Sequence, residues 1–241
     1  MALPKIDIPT YEIELPISKK KIKYRPFLVK EQRNLLMAME SDESSTIQQN
    51  IKDILYNCTL TEGVDIERLP ILDIEYYFIN LRAKSVGEVV DSNYRCNNEV
   101  DNTVCGNIMK AQINLLEIKP DLTDLVSPEI QLTPQLVIKM KYPEFGNVKE
   151  SLTMDNITDI TFNMIANSVE YIYDGEQFYY ANETPIEEMV EFVENLNQQQ
   201  FEKIEKFFNN LPKLKEKVEM TCSKCGFHHV IDVEGLESFF V

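Results

Sequence analysis

The chain has few of the residues on which small-molecule chemistry usually rests: two histidines and seven glycines among 241 residues. With so little glycine, a loop of backbone N–H groups around a phosphate has little to be built from. None of the patterns GxxxxGKS/T, GxGxxG, GxSxG or HExxH occurs. A nucleophile and base pair needs a histidine or its equivalent near Ser or Cys, and His228 and His229 stand together beside a cysteine turn. Paired carboxylates such as Glu187-Glu188 and Glu191 with Glu194 lie on the polar faces of amphipathic segments, where solvation explains them. No enzymatic role and no small-molecule substrate are expected.

Apolar runs are short as well. None approaches the ~18 to 20 residues that cross a bilayer, and the N-terminus MALPKIDIPT has no signal-peptide core, so no membrane span and a cytoplasmic location are expected. Basic residues are also scarce, at 24 against 40 acidic, for a net charge of −16 and a pI near 4.6. That balance argues against nucleic acid or an anionic membrane as the main partner and leaves other proteins. The excess is uneven, because the first thirty residues carry Lys5, Lys19, Lys20, Lys21, Lys23, Arg25 and Lys30 against Asp7, Glu12 and Glu14.

What is present is enough apolar residue, 44%, to bury a sizeable core, arranged with two periods. Tyr11 to Leu15 and Lys21 to Phe27 alternate, which predicts an N-terminal β-hairpin with Ile13, Ile22 and Tyr24 inward and Lys21, Lys23 and Arg25 sharing the outer face. A helical period then covers Glu31 to Ser41, Ser45 to Asn57 and Ile71 to Lys84, with Cys58 on the apolar stripe as a core residue. Strands are predicted at 88–96, 108–115 and 136–142, helices at 157–173, 185–196 and 198–210, and a closing strand pair at 217–221 and 227–233. The fold class is α+β. Its expected parts are 1–87, hairpin and helices; 88–145, a central β region; 146–212, a helical insertion; and 213–241, a hairpin that pairs with 94–115.

Five cysteines in a reducing compartment point to metal binding or burial before disulfides. Thr221-Cys-Ser-Lys-Cys-Gly226 and Arg95-Cys-Asn-Asn-Glu-Val-Asp-Asn-Thr-Val-Cys-Gly106 each lie in the turn of a predicted hairpin and each end Cys-Gly. Two thiolates from each turn, Cys96, Cys105, Cys222 and Cys225, would give zinc its tetrahedron. A glycine after the last thiolate suits a turn that needs positive φ and N–H groups aimed at sulfur. The spacing of the first pair, with residues 97 to 104 between, is longer than in compact zinc ribbons, and residues 106 to 221 form a large insertion. His228 in place of one cysteine, or four unmetallated thiols, are the alternatives. A four-cysteine site closes the coordination sphere, so its zinc would be structural.

Ala2-Leu-Pro-Lys-Ile, Pro9-Thr-Tyr-Glu, Lys20-Lys-Ile-Lys-Tyr-Arg-Pro-Phe-Leu-Val-Lys-Glu31, Asp73-Ile-Glu-Tyr-Tyr-Phe-Ile-Asn-Leu-Arg-Ala-Lys-Ser-Val-Gly-Glu88 and the closing Glu234-Gly-Leu-Glu-Ser-Phe-Phe240 resemble the baseplate hub protein family of T-even-type tailed bacteriophages. The resemblance implies a structural subunit of the tail baseplate hub, or a factor promoting its assembly, whose partners are other hub proteins. It implies a place in the host cytoplasm during assembly or in the virion tail baseplate. Expected contact residues are Lys21, Lys23 and Arg25 for an acidic partner, and Phe239 and Phe240 for an apolar groove. The rival readings are a zinc-ribbon regulator that binds nucleic acid or polymerase, and a hydrolase using acidic pairs.

Overall fold

A computed structural model describes residues 6–40, 44–123, 125–147 and 156–235. The alternating N-terminal segments form β1 (Tyr11–Glu14) and β2 (Lys21–Tyr24), antiparallel with Ile13 opposite Ile22 and Tyr11 opposite Tyr24. Asp73, fully buried, accepts the turn N–H groups of Ile17 and Ser18 at 2.7 and 2.9 Å and so ties the hairpin to the third helix. Three helices follow: α1 (Val29–Glu40), α2 (Ser44–Cys58) and α3 (Ile71–Ser85). At the start of α1 the Glu31 carboxylate accepts the N–H of Leu28 at 2.5 Å and the Arg25 guanidinium at 2.8 Å. Burial would raise that carboxylate, but the Arg25 guanidinium and the Leu28 N–H hold it below the usual range.

One face of α3, with Ile74, Tyr77, Phe78 and Leu81, packs on the hairpin, α1 and α2 around Leu15, Ile22, Leu55 and Cys58. Cys58 is a core residue, and burial pushes its thiol up to about 11. The other face of α3, with Leu72, Ile79 and Ala83, meets a β layer. In that layer β3 (Val89–Arg95) pairs with β6 (Ile108–Asn114), while β7 (Lys119–Asp121), β12 (Lys213–Thr221) and β13 (His228–Glu234) form a sheet in the order β13-β12-β7. Within the loop from β3 to β6 lies a small hairpin, β4 (Glu99–Val100) with β5 (Thr103–Val104).

The remaining unit is a four-stranded antiparallel sheet, β11-β10-β9-β8, built from β8 (Glu129–Gln131), β9 (Val137–Met140), β10 (Val169–Tyr173) and β11 (Phe178–Tyr180). One face is covered by α4 (Ile157–Asn167), α5 (Ile186–Glu194) and α6 (Gln198–Asn209), around Ile138, Val169, Val193 and Ile204. Asn156 caps α4, and Asn197 with Gln200 forms a capping box on α6.

The α+β class holds, with differences in detail. The helix expected over 157–173 stops at Asn167, and Val169–Tyr173 is a strand. Ile165, Val169 and Ile172 stand at helical spacing and are all buried, so periodicity alone could not separate the two states. The β-branched and aromatic character of Val169-Glu-Tyr-Ile-Tyr173 favours the strand. The last hairpin begins at Lys213 rather than 217, because Leu214 and Lys215 pair with Pro120 and Lys119. Strands β8 and β9 pack with α4 to α6, so the change of core falls between β7 and β8.

Candidate metal centre

The two cysteine turns share a pattern of backbone hydrogen bonds. In the first, Cys96 N–H donates to Asn107 O at 2.8 Å and Gly106 N–H to Cys96 O at 3.0 Å. In the second, Cys222 N–H donates to Phe227 O at 2.9 Å and Gly226 N–H to Cys222 O at 2.9 Å. Gly106 and Gly226 both have positive φ, +64° and +73°, the left-handed region that a residue without Cβ enters freely. The long spacing from Cys96 to Cys105 has a local explanation. Residues 99 to 104 are looped out as the β4–β5 hairpin, closed by Asp101 and Asn102 at φ 50° and 59°, a type I′-like pair that matches the strand twist. Cys105 N–H then donates to Asn98 O at 2.8 Å, which returns Cys105 to Cys96 as if the extra residues were absent.

The four sulfurs converge, each within 4.8 Å of the others. Cys96 Sγ lies 3.6 Å from Cys225 Sγ, and Cys105 Sγ lies 3.8 Å from Cys222 Sγ. A tetrahedron with metal–sulfur bonds of ~2.3 Å has edges of about 3.8 Å, so the cluster already has the right dimensions for one ion. The spacing is far from the ~2.05 Å of a disulfide, and all four cysteines are free. Cys96 and Cys222 are buried, while Cys105 and Cys225 are half-buried.

A layer of donors surrounds the sulfurs. Asn98 Nδ2 donates to Cys225 Sγ at 3.6 Å and Asn107 Nδ2 to Cys222 Sγ at 3.5 Å, so asparagines of the first turn reach thiols of the second. His229, buried and held edge-on against Phe227, brings Nε2 to 3.2 Å from Cys96 Sγ. The N–H of Cys225 leads the pull that brings the Cys222 thiol down to about 6 against its burial, whereas burial pushes Cys96 up to about 12. Such an arrangement favours ionised sulfur at one ligand and would complete ionisation of the set when a cation binds.

His228, the histidine weighed as a substitute ligand, turns away to Thr221 and Glu219. Asn98 and Asn107 were not singled out in the sequence, and His229 was placed beside the cysteine turn without a part in it. The asparagines had a signal, since each follows a cysteine by two residues. The expected contact residues are differently placed. Lys21 and Lys23 are exposed, but across the hairpin they face Glu14 and Glu12. Arg25 is largely buried against Glu31 and does not share their face. Phe239 and Phe240 lie outside the described residues.

The architecture is that of an α+β protein whose two distant hairpins meet at a closed, four-thiol cluster of metal-binding dimensions. The model of the T4 bacteriophage base plate protein family matches residues 8–241, and the chain belongs to that family. No curated protein and no solved structure matches it. Among the described residues no helix is long and apolar enough to cross a membrane.

Proposed function

We propose that this chain is a non-enzymatic protein of the phage baseplate hub, a structural subunit or hub assembly factor that works through contacts with other hub proteins. The family match along nearly the whole chain carries this reading. Assembly takes place in the host cytoplasm, and a subunit remains in the virion tail. Counting the chain in purified particles by quantitative mass spectrometry tests it. A fixed low multiple of a known hub protein identifies a subunit, and presence in hub intermediates alone identifies an assembly factor. Absence from both overturns the reading.

The cluster of Cys96, Cys105, Cys222 and Cys225 holds one zinc ion in a structural role. The donor set supports zinc, since four thiolates suit a closed tetrahedral site with no position for water. Elemental analysis of protein purified without chelator is expected to give one zinc per chain, and iron in its place would overturn this assignment. Lys21 and Lys23 form a small contact surface for an acidic partner. Their joint replacement by glutamate is expected to weaken hub assembly, and unimpaired assembly removes that surface from the interface. A ribbon that binds nucleic acid has little support, because Glu219, Asp232 and Glu234 share the last hairpin with the histidines.

A further inference from the structure

The four-stranded sheet buries one face under α4 to α6, and its other face is aromatic. Register sets Tyr171 opposite Tyr180 and Tyr173 opposite Phe178. The rings of Tyr173 and Phe178 stack at 4.6 Å, Phe178 and Tyr180 lie parallel at 6.0 Å, and Tyr171 meets Phe178 edge-on at 5.2 Å. Phe178 and Tyr180 remain 50% and 44% exposed. A ladder of four rings on a solvated face is more apolar surface than an isolated exposed residue, and such patches mark contact sites.

Charge identifies the kind of partner. Residues 156–202 contain ten aspartates and glutamates and not one lysine or arginine. At the ladder Glu129 accepts from Tyr171 Oη at 2.7 Å, and Asp174, in the turn before β11, accepts from Tyr179 Oη at 2.9 Å. A cation does reach this face: Lys139, contributed by β9. Its Nζ sits 5.5 Å from the centre of the Tyr171 ring and 3.2 Å from Glu170. A cation over a ring with a carboxylate beside it is therefore a motif this surface already makes once, within its own chain.

The backbone adds a direction. Strand β11 is an edge of the sheet. Asp174 N–H donates to Gln177 O, and Ala181 N–H to Glu170 O. This phase turns the N–H groups of Phe178 and Tyr180 outward, away from β10. An edge strand presenting backbone donors can accept one more strand.

We propose that this face docks an extended, arginine- or lysine-bearing segment of another protein, laid along β11 with its cations over the tyrosine and phenylalanine rings and among the surrounding carboxylates. The same negative field repels the phosphates of a nucleic acid. The site rests on the sheet alone and is independent of the metal and of the lysine pair.

The test uses a fluorescein-labelled peptide of alternating arginine and serine, titrated at low salt into the full chain. Saturable binding is expected, weakened at least tenfold by Phe178→Ala with Tyr180→Ala and weakened by added salt, with circular dichroism and metal content unchanged. Should the paired alanines disturb the fold, Phe178→Leu removes a ring at similar volume and is expected to weaken binding in the same direction. No saturable binding, equal binding by the variant, or equal binding of a glutamate-serine peptide overturns the proposal. So does preferential binding of a single-stranded oligonucleotide, or self-association abolished by the double variant, which would make a second copy the occupant.

Discussion

Around the inner face of α3, the described residues include fifteen buried side chains that pack into one apolar core, Tyr77 and Phe78 among them. At the cysteine turns the corresponding cluster has Cys96, Met109 and Cys222 buried, with Tyr94, Cys105, Met220 and Cys225 at its margin. The first region removes enough apolar surface from water to hold itself together. The second brings four thiols into contact, where crowding and ionisation oppose closure unless a cation bridges them. The same chain thus sets packing on one face of α3 beside a thiol cluster that, with the proposed zinc, would close by coordination.

The largest test of that contrast is removal of the ligands. Cys222→Ser with Cys225→Ser should abolish metal binding, and structural zinc in small peptides is worth roughly 10 to 16 kcal/mol of apparent free energy. Hydrogen exchange should then show β12–β13 and β3–β6 losing protection while α1 to α3 keep theirs. Equal protection in both regions would mean that the hairpins stand by packing. The complementary change, Phe78→Ala, should lower stability by about 3–5 kcal/mol in denaturant titration and leave zinc content unchanged. If zinc is lost as well, the two regions form one cooperative unit.

A third test addresses the seam. Glu75 on α3 faces a cavity of about 360 Å³ lined by Pro70, Tyr142, Leu211 and Leu214. Burial pushes its carboxyl up to about 7, with Lys213 opposing. The unfolded chain ionises this group at lower pH than the folded one, so its contribution is most favourable below the ordinary glutamate range. Stability should fall as pH rises toward 7 and then level off. Glu75→Gln should flatten that slope and gain on the order of 2 kcal/mol at pH 8, read by thermal unfolding across pH. The smallest effect is expected at Gly226, where an added Cβ meets nothing within 4 Å and only the positive φ resists it. Gly226→Ala should cost about 1–2 kcal/mol and lower zinc affinity correspondingly, as measured by competition with a chelator.

Much of this contrast was legible in the sequence. The long helices announce themselves by apolar residues three and four apart, and the knuckles by paired cysteines followed by glycine. Strand β10 was hidden because Val169 and Ile172 continue the spacing of the helix before it, and a buried strand and a buried helix share that pattern over so short a stretch. The three-residue strands β7, β8 and β11 carry too few positions for any period to show. The sulfur-directed groups His229, Asn98 and Asn107 were obscured for another reason. Their role depends on which turn faces which, and that is a tertiary fact without local signature. On the basic hairpin, alternation shows that Lys21 and Lys23 share a face but not that Glu14 and Glu12 stand opposite them across the ladder.

Cys105 and Cys222 stand 117 positions apart, and the four-stranded sheet with its helices lies between them. A ribosome finishes the first knuckle, and the whole inserted unit, before it has made the second. During that interval only two ligands exist, and no closed four-thiol site can form. Capture of the proposed zinc would therefore wait for the second knuckle: a chain terminated anywhere in the interval would be born without its clasp, and a loaded ion would certify translation through Cys225.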